Sequence, residues 1–437
     1  MPSGKIVLST AGSLGDLNPY IAVALRLKAR GYRPMVATQS EFRDKVENAG
    51  LDFHALRPSL NDLEQEFGLD AQTIVHRATD AATGMSFLVR RVAMPFLRRS
   101  FDDMLAAIHD ADAVVTHSSA FAARLAAEYL GVPWVSTVLS PFNFMSSYDP
   151  PVMWSQMGRF NAKTGSSIES VLLPLFRLAT AHWTSPIAKL RRELGLSGSA
   201  GNPMFEGQFS SLGTIALYSE LLGRVQPDFP PSSTIAGFAF YDSETGAAEA
   251  LEAPLQHFLD NGSPPLVFTL GTAAVFDPGS FYRHSLEAAR RLGRRAVFLI
   301  GPQQRGQLPA RLPDTAIACS YARYSLIFPR AEAIVHQGGI GTAGQALRAG
   351  RPQLIVPFLG DQPDNAARMA RLGVARSLSR RAYQPARVTS ELSALLGGGY
   401  ARRAADLSRL IGHEDGAEEA ARIIDCLLDE NQQLRRA

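Results

Sequence analysis

Twice along the chain a short unbroken apolar run gives way to glycines and then to apolar residues at helical spacing. At the start "KIVLST" leads into "AGSLGD" and "LNPYIAVALRLKARG", where Ile21, Ala24, Leu25 and Leu27 share one helical face, before "RPMVAT" resumes the strand pattern. A continuous apolar run predicts a parallel strand buried on both faces, and the helical spacing predicts the crossover helix that covers it. The pattern recurs at "ADAVVTH", "AFAARLAAEYLG" and "VPWVSTVL", so the first half is α/β with a parallel sheet. From Ser140 to about Met204 the rhythm lapses into Pro, Phe, Met and Trp, which suggests a pocket wall or lid. The Pro- and Ser-rich "QPDFPPSST" and the polar "YDSETGAAEALEAP" place a linker near Phe240 to Pro254. Alternation then restarts with "PLVFTLG", "FYRHSLEAARRLG", "RAVFLIG", "TAIACS", "AEAIVH" and "PQLIVP". At 437 residues and 46% hydrophobic content, this predicts two doubly wound domains facing a cleft. Their expected bounds are 1–240 and 241–415, with a last helix at 416–437 returning toward the first domain.

Charge and cysteine content exclude several classes. Forty-four Lys and Arg against 41 Asp and Glu leave +3, without long basic runs, so nucleic acid is not an expected partner. Cys319 and Cys426 are far apart and form no CxxC, which fits a reducing cytoplasm. The N-terminal apolar run is too short for a signal sequence, and Tyr129 to Met145 is broken by Gly131, Pro133 and Pro141, so no integral membrane segment is expected. HExxH and P-loop patterns are absent. "DAD" at Asp110 to Asp112 precedes a strand instead of ending one, so it reads as a solvated turn and no metal site is expected.

The stretch "HQGGIGTAGQALRAGRPQLIVPFLGDQPDN" carries the most chemistry. Gly339, Gly341 and Gly344 fit G-x-G-x-x-G, yet the next strand ends at Pro357 and the first acid, Asp361, lies beyond Gly360. The motif also falls late in its half, whereas a dinucleotide fold puts it in the first βα unit, so a nicotinamide site fails on position. What survives is an anion cradle. Glycines admit a phosphate to the backbone, and the helix N-terminus carries about half a positive charge. His336 at one strand end and Asp361–Gln362 after the next converge on the same crevice.

This stretch resembles the nucleotide-sugar signature of the GT-B UDP-glycosyltransferase family, as found in bacterial antibiotic, sterol and rhamnolipid glycosyltransferases. "GSLGDLNPYIAVALRLKARGYRP" and "PLVFTLGT" extend the resemblance over essentially the whole chain. The resemblance implies that His336 contacts the donor diphosphate, that Gly338, Gly341 and Thr342 present donors to it, and that Thr272 adds a hydroxyl. It implies further that Asp361 and Gln362 bind sugar hydroxyls and that Tyr321 or Tyr324 stacks on the base. Gln345 stands where many relatives have a ribose-binding Glu and is a neutral substitute.

On the acceptor side, Asp16 stands where plant relatives carry their catalytic histidine, and several bacterial members resemble this chain in having an acid there. Its alternative role is a cap for a helix beginning near Asn18 or Pro19. His117 follows "AVVT", where relatives place the partner acid, so acid and histidine have exchanged places. Either can be the base of an inverting transfer, with the other orienting it. Met85, Phe87, Phe142, Phe144 and Met145, with Trp154 and Phe176, fall in regions resembling acceptor-binding loops. The resemblance implies an inverting glycosyltransferase moving a sugar, glucose from UDP-glucose, onto a hydroxyl of a hydrophobic small molecule. No cofactor is expected beyond the UDP-sugar co-substrate. A rhamnosyltransferase with a lipid acceptor, a nucleotide-sugar epimerase and a non-catalytic sugar-nucleotide-binding subunit are the alternatives.

Overall fold

The computed structural model describes residues 4–80, 82–152, 174–196, 201–243, 250–271 and 277–436. Among them the first parallel sheet runs β3-β2-β1-β4-β5-β6-β7 and the second runs β10-β9-β8-β11-β12-β13. In the first, β1 is Lys5–Ser9, β2 Arg33–Thr38, β3 Asp52–Ala55, β4 Ala113–His117, β5 Trp134–Val138, β6 Thr214–Ala216 and β7 Ser233–Ile235. In the second, β8 is Leu266–Thr269, β9 Ala296–Leu299, β10 Ala316–Cys319, β11 Ala333–His336, β12 Gln353–Ile355 and β13 Ala375–Ser377. Residues of β4, β8, β9 and β11 are buried throughout, because helices cover both faces of each sheet. Strand order reverses between β1 and β4 and again between β8 and β11. Each reversal opens a crevice at the carboxyl ends of the strands, the place where α/β folds bind ligands.

The first helix, Leu14–Ala29, starts earlier than the sequence suggests, with Pro19 inside it. Ser13 is the N-cap, and Asp16 closes a reciprocal capping box with it. Box formation satisfies orphan N–H groups of the first turn. The chain's last helix, Gly416–Arg436, packs Ala417, Ala420, Ala421, Ile424 and Leu428 into one core with Leu17, Tyr20, Ile21 and Ala24 of the first helix. Arg26 meets Asp415 at 2.7 Å, and Arg30 reaches Glu418 at 2.5 Å and Asp425 at 3.1 Å.

The two sheet units touch through buried groups. A Cβ at Gly344 would sit 2.8 Å from the Phe238 ring, so the third glycine of G-x-G-x-x-G serves packing against the crossover segment, not phosphate approach. Arg368, with 1% of its side chain exposed, lies 2.6 Å from Asp364, donates to the Leu222 carbonyl at 2.8 Å and also pairs with Asp149. No helix among the described residues is long and apolar enough to cross a membrane.

Candidate active site

The β1–β4 crevice of the first sheet holds the acid and the histidine. Asp16 Oδ2 accepts the Ser13 N–H at 2.7 Å and the Ser13 hydroxyl at 3.1 Å. Gly12, at φ +140°, makes room for this carboxylate, since a Cβ there would lie 2.3 Å from Oδ2. The other oxygen, Oδ1, stands 3.8 Å from His117 Nε2. Asp16 therefore caps the helix with one oxygen and faces the histidine with the other.

The nearest polar partner of His117 is a residue the sequence reading missed. Ser119 Oγ donates to the Ala11 carbonyl at 3.0 Å and lies 2.6 Å from His117 Nδ1, and the Ser119 N–H points at the same Nδ1 from 3.4 Å. Nδ1 is thus held inside the protein, and Nε2 is the nitrogen that faces Asp16. Tyr20 meets the ring edge-on at 5.9 Å and is itself tied to Thr137, which fixes the ring plane. Burial pushes His117 below its ordinary value, and the Asp16 carboxylate opposes that push. The imidazole is thus neutral and basic at pH 7, with an adjacent carboxylate to stabilise the imidazolium. Nothing in "THSS" distinguishes Ser119 from Ser118 as this partner.

The second sheet supplies the facing wall. His336, fully buried at the end of β11, accepts the Gly338 N–H on Nδ1 at 3.0 Å and has Nε2 2.9 Å from Gln353 Oε1. Both ring nitrogens, and the Gly338 N–H, are thus used within the protein, and burial holds the imidazole neutral at about 4. This corrects the expectation that His336 and the Gly338 N–H contact the diphosphate directly. His336 instead shapes the loop, with Gly338 at φ +93° and its Cα close to Ile355, where a Cβ would come within 2.7 Å.

The open part of the cradle is the start of the Ile340–Arg348 helix. Nothing lies within 4 Å of a Cβ built on Gly341, and the N–H groups of the first turn have no intrahelical acceptor. Thr342 is buried on this helix, and the Tyr324 hydroxyl beside it pairs with Thr269 Oγ1 at 3.1 Å. Tyr324 stacks on Phe328 at 4.3 Å and is not available for a base, whereas Tyr321 is 40% exposed at the end of β10. Gln345 is buried on the same helix, and Thr272 lies outside the described residues.

Asp361 is the N-cap position of the next helix, Gln362–Arg371, without a side-chain cap bond, and Gln362 is its first residue. Gln362 Oε1 accepts the N–H groups of Phe358 at 2.8 Å and Leu359 at 3.2 Å, leaving its amide nitrogen to offer a sugar. Asn365, which sequence reasoning also missed, donates to Asp361 Oδ2 at 2.7 Å and to the Gly338 carbonyl at 3.0 Å, clamping the acid to the glycine loop. Burial, with the Asp16 carboxylate adding to it and Asn365 opposing, raises Asp361 to about 6. The two carboxylates thus feel each other across the cleft. Folded Asp361 holds its proton more tightly than the unfolded chain, so its ionisation lowers stability fully above about pH 6 and not at all below about pH 4. Asp361→Asn is expected to raise the ligand-free Tm above pH 6, by on the order of 1 kcal/mol for a half-buried carboxylate, while impairing turnover. Thermal melts at pH 4 and 7.5 check this: an equal effect of the substitution at both pH values would refute it.

Among the acceptor candidates, Phe144 is corrected outright. It is buried and stacked on Phe229 at 3.7 Å and Phe209 at 5.7 Å, because those rings give it a core its loop position conceals. Phe142 and Met145 are half-buried around the same turn, whose Asn143 donates to the Ser118 hydroxyl at 3.0 Å, beside His117. Met85 is 39% exposed, and Phe87 packs on Phe67 at 5.8 Å. Phe176 packs edge-on against Phe205, and Trp154 lies outside the described residues.

Paired parallel sheets with their switch-point crevices opposed, one holding an acid–histidine pair and the other a glycine-rich helix N-terminus, make up the GT-B fold. Comparison with known proteins agrees. Residues 6–146 match the glycosyltransferase family 28 N-terminal domain, and residues 284–418 match the erythromycin biosynthesis protein CIII-like C-terminal domain. The O-mycaminosyltylonolide 6-deoxyallosyltransferase of Streptomyces fradiae is 29% identical over 439 residues, covering 96% of this chain and 97% of that protein. Glycosyltransferase GtfE of Amycolatopsis orientalis is 28% identical over 376 residues, 85% of each chain. The structure of the spinosyn rhamnosyltransferase SpnG complexed with thymidine diphosphate superposes with a TM-score of 0.67 at 18% identity, covering 97% of this chain and 100% of that one. The chain is a glycosyltransferase of the GT-B fold, and the proteins it resembles include antibiotic glycosyltransferases and sterol glucosyltransferases.

Proposed function

We propose that the protein transfers glucose from UDP-glucose, with inversion, onto a hydroxyl of a hydrophobic small molecule such as a phenolic natural product. The observation that carries this reading is the placement of His117 Nε2 3.8 Å from Asp16 Oδ1, in the crevice that faces Asp361 and the open Gly341. The acceptor hydroxyl gives its proton to Nε2 as its oxygen bonds the sugar's anomeric carbon, and the bond from that carbon to the diphosphate breaks on the opposite face. Asp16 stabilises the imidazolium that results. Charge leaving on the diphosphate is met by the N-terminus of the Ile340–Arg348 helix, so the reading calls for no metal. Asp361 and the Gln362 amide nitrogen orient the sugar, and Tyr321 stacks on the base. The two cysteines are free, which suits the reducing cytoplasm where we place the enzyme.

One observation favours a second donor, a thymidine diphosphate sugar, rhamnose among them. The neutral Gln345 stands where an acid would grip a ribose diol, so the site has less reason to demand a 2′-hydroxyl. Incubation with UDP-glucose, dTDP-glucose and dTDP-rhamnose against a mixed panel of phenols and hydroxylated lipids, read by mass, tests both. Hexose gained by a phenol from UDP-glucose is the expected result. Rhamnose gained by a lipid would move the assignment to the second donor, and isomerised donor without acceptor product would make the protein an epimerase.

A further inference from the structure

A second concave site is lined by residues other than the acid–base pair. A cavity of about 310 Å³ is lined by Arg77, Thr83, Ser86, Phe87, Arg90 and Arg91. Arg77 ends the helix Ala71–Ala78, and its neighbour His76 meets Asp277 of the second sheet's unit at 3.1 Å, so this helix reaches across to the donor-side unit. Arg90 and Arg91 sit on the segment Leu88–Ala93, which is wound as a π-helix, a local widening that recurs at functional sites.

The three guanidiniums have no ion pair or hydrogen bond among the described residues. The nearby acids are occupied. Asp80 accepts from Thr83 N at 2.8 Å, Thr83 Oγ1 at 2.7 Å and Ala82 N at 3.0 Å, while Asp277 is held by Arg380 at 2.9 Å and His76. Arg77, Arg90 and Arg91 are exposed, so solvent screens their mutual repulsion, and an anion entering the cavity meets guanidiniums that no acid of the described residues already holds. The hydroxyl protons of Thr83 and Ser86 go to Asp80 and to the Thr83 carbonyl, so the forked guanidiniums are the donors the cavity can offer. Phe87 is the apolar part of the lining, and the exposed Met85 lies on the same short helix, Gly84–Phe87. The lining is therefore amphiphilic, with cationic forks next to an apolar surface.

We propose that this cavity binds an oxyanion group, a carboxylate, sulfate or phosphate, carried by the acceptor, whose apolar body lies over Phe87 and Met85. The enzyme then selects anionic amphiphilic acceptors over neutral ones of the same shape. This rests on the acceptor-glycosylating reading above, and the experiment separates the two. The probes are 7-hydroxycoumarin-3-carboxylic acid and its ethyl ester, which present the same phenol with and without the charge. Wild-type enzyme is expected to show a kcat/KM at least tenfold higher for the acid than for the ester. Arg77→Gln and the double variant Arg90→Gln/Arg91→Gln should each cut that ratio at least fivefold, and Arg90→Lys/Arg91→Lys should retain part of it. Transfer to neither probe, nor to any of the phenols above, defeats the acceptor reading itself. Transfer to both with equal kcat/KM, unmoved by the substitutions, defeats only this inference. So does a result in which the substitutions leave the ratio intact but abolish sedimentation with phosphatidylglycerol vesicles, because the anion would then belong to a membrane surface.

Discussion

His117→Ala is expected to lower kcat/KM for an aliphatic alcohol acceptor by roughly two to four orders of magnitude, the usual worth of a positioned general base. Donor affinity should be unchanged, because His117 sits in the β1–β4 crevice while the anion cradle belongs to the second sheet. Asp16→Asn should cost less, since Asn can still accept the Ser13 N–H and keep the cap but loses the charge facing Nε2. The two losses should not add, because Asp16 acts through the histidine. Acidic phenols, closer to ionising, should suffer less from either change. Near-normal turnover of His117→Ala on every acceptor would remove it as the base.

The pH profile carries a sign that tests the same pair. Burial lowers the pKa of His117, so the neutral base persists below the ordinary value near 6.5, and Asp16 is the group that raises it back. Removing the Asp16 charge must therefore move the His117 acid limb of kcat/KM to lower pH. Asp361, near 6, also loses its acceptor capacity as pH falls, and Asp16→Asn lowers that pKa too, since the Asp16 charge helps to raise it. Measuring Asp16→Asn in an Asp361→Asn background isolates the histidine limb. A limb that rises in pH, or stays fixed, is incompatible with Coulombic coupling at 3.8 Å.

What the sequence made legible divides by the range of the interaction. Strands such as "AVVTH" and "AEAIVH" could be read because burial on both faces forces a continuous apolar run, and β4 and β11 fall on those residues. The helix start was misread because Pro19 imitates a first-turn proline, although Ser13 and Asp16 already spell a capping box three residues apart. His336 was recognised as a site residue, but its partner Gln353 depends on strand register. Ile334 pairs with Gln353 and His336 with Ile355, which places both side chains on one face, and spacing in the chain does not reveal that. Phe144 failed for a similar reason, since Phe209 and Phe229 reach it from distant parts of the chain. The partner of His117 Nδ1 was hidden as well, since only the folded loop brings Ser119 to that nitrogen and to the Ala11 carbonyl.

Asp364 and Arg368 stand four residues apart on one helix, a pair worth a few tenths of a kcal/mol on a surface. In the fold each has 1% of its side chain exposed, and the pair is the centre of a buried network. Arg368 also holds Asp149 and the Leu222 carbonyl, while Asp364 Oδ1 accepts the Val152 N–H at 3.1 Å. Burial raises Asp364, and the attraction of Arg368 offsets part of that cost. Arg368→Met removes the offset and strands a buried carboxylate, so it is expected to destabilise by about 3 to 5 kcal/mol. Arg368→Met/Asp364→Leu leaves neither charge and should recover most of that loss, because well-packed apolar replacements of a buried ion pair are often neutral. The same helix begins at the Asp361 cap, while Asp149, Val152 and Leu222 belong to the acceptor half. Even the stable double variant should therefore raise the donor KM, because the network holds the sugar-binding end of the helix against the other half. Thermal melts of the single and double variants, with donor kinetics on the double, separate stability from positioning. A single variant within 1 kcal/mol of wild type would mean that water reaches Asp364, and an unchanged donor KM in the double would leave the network a purely structural tie.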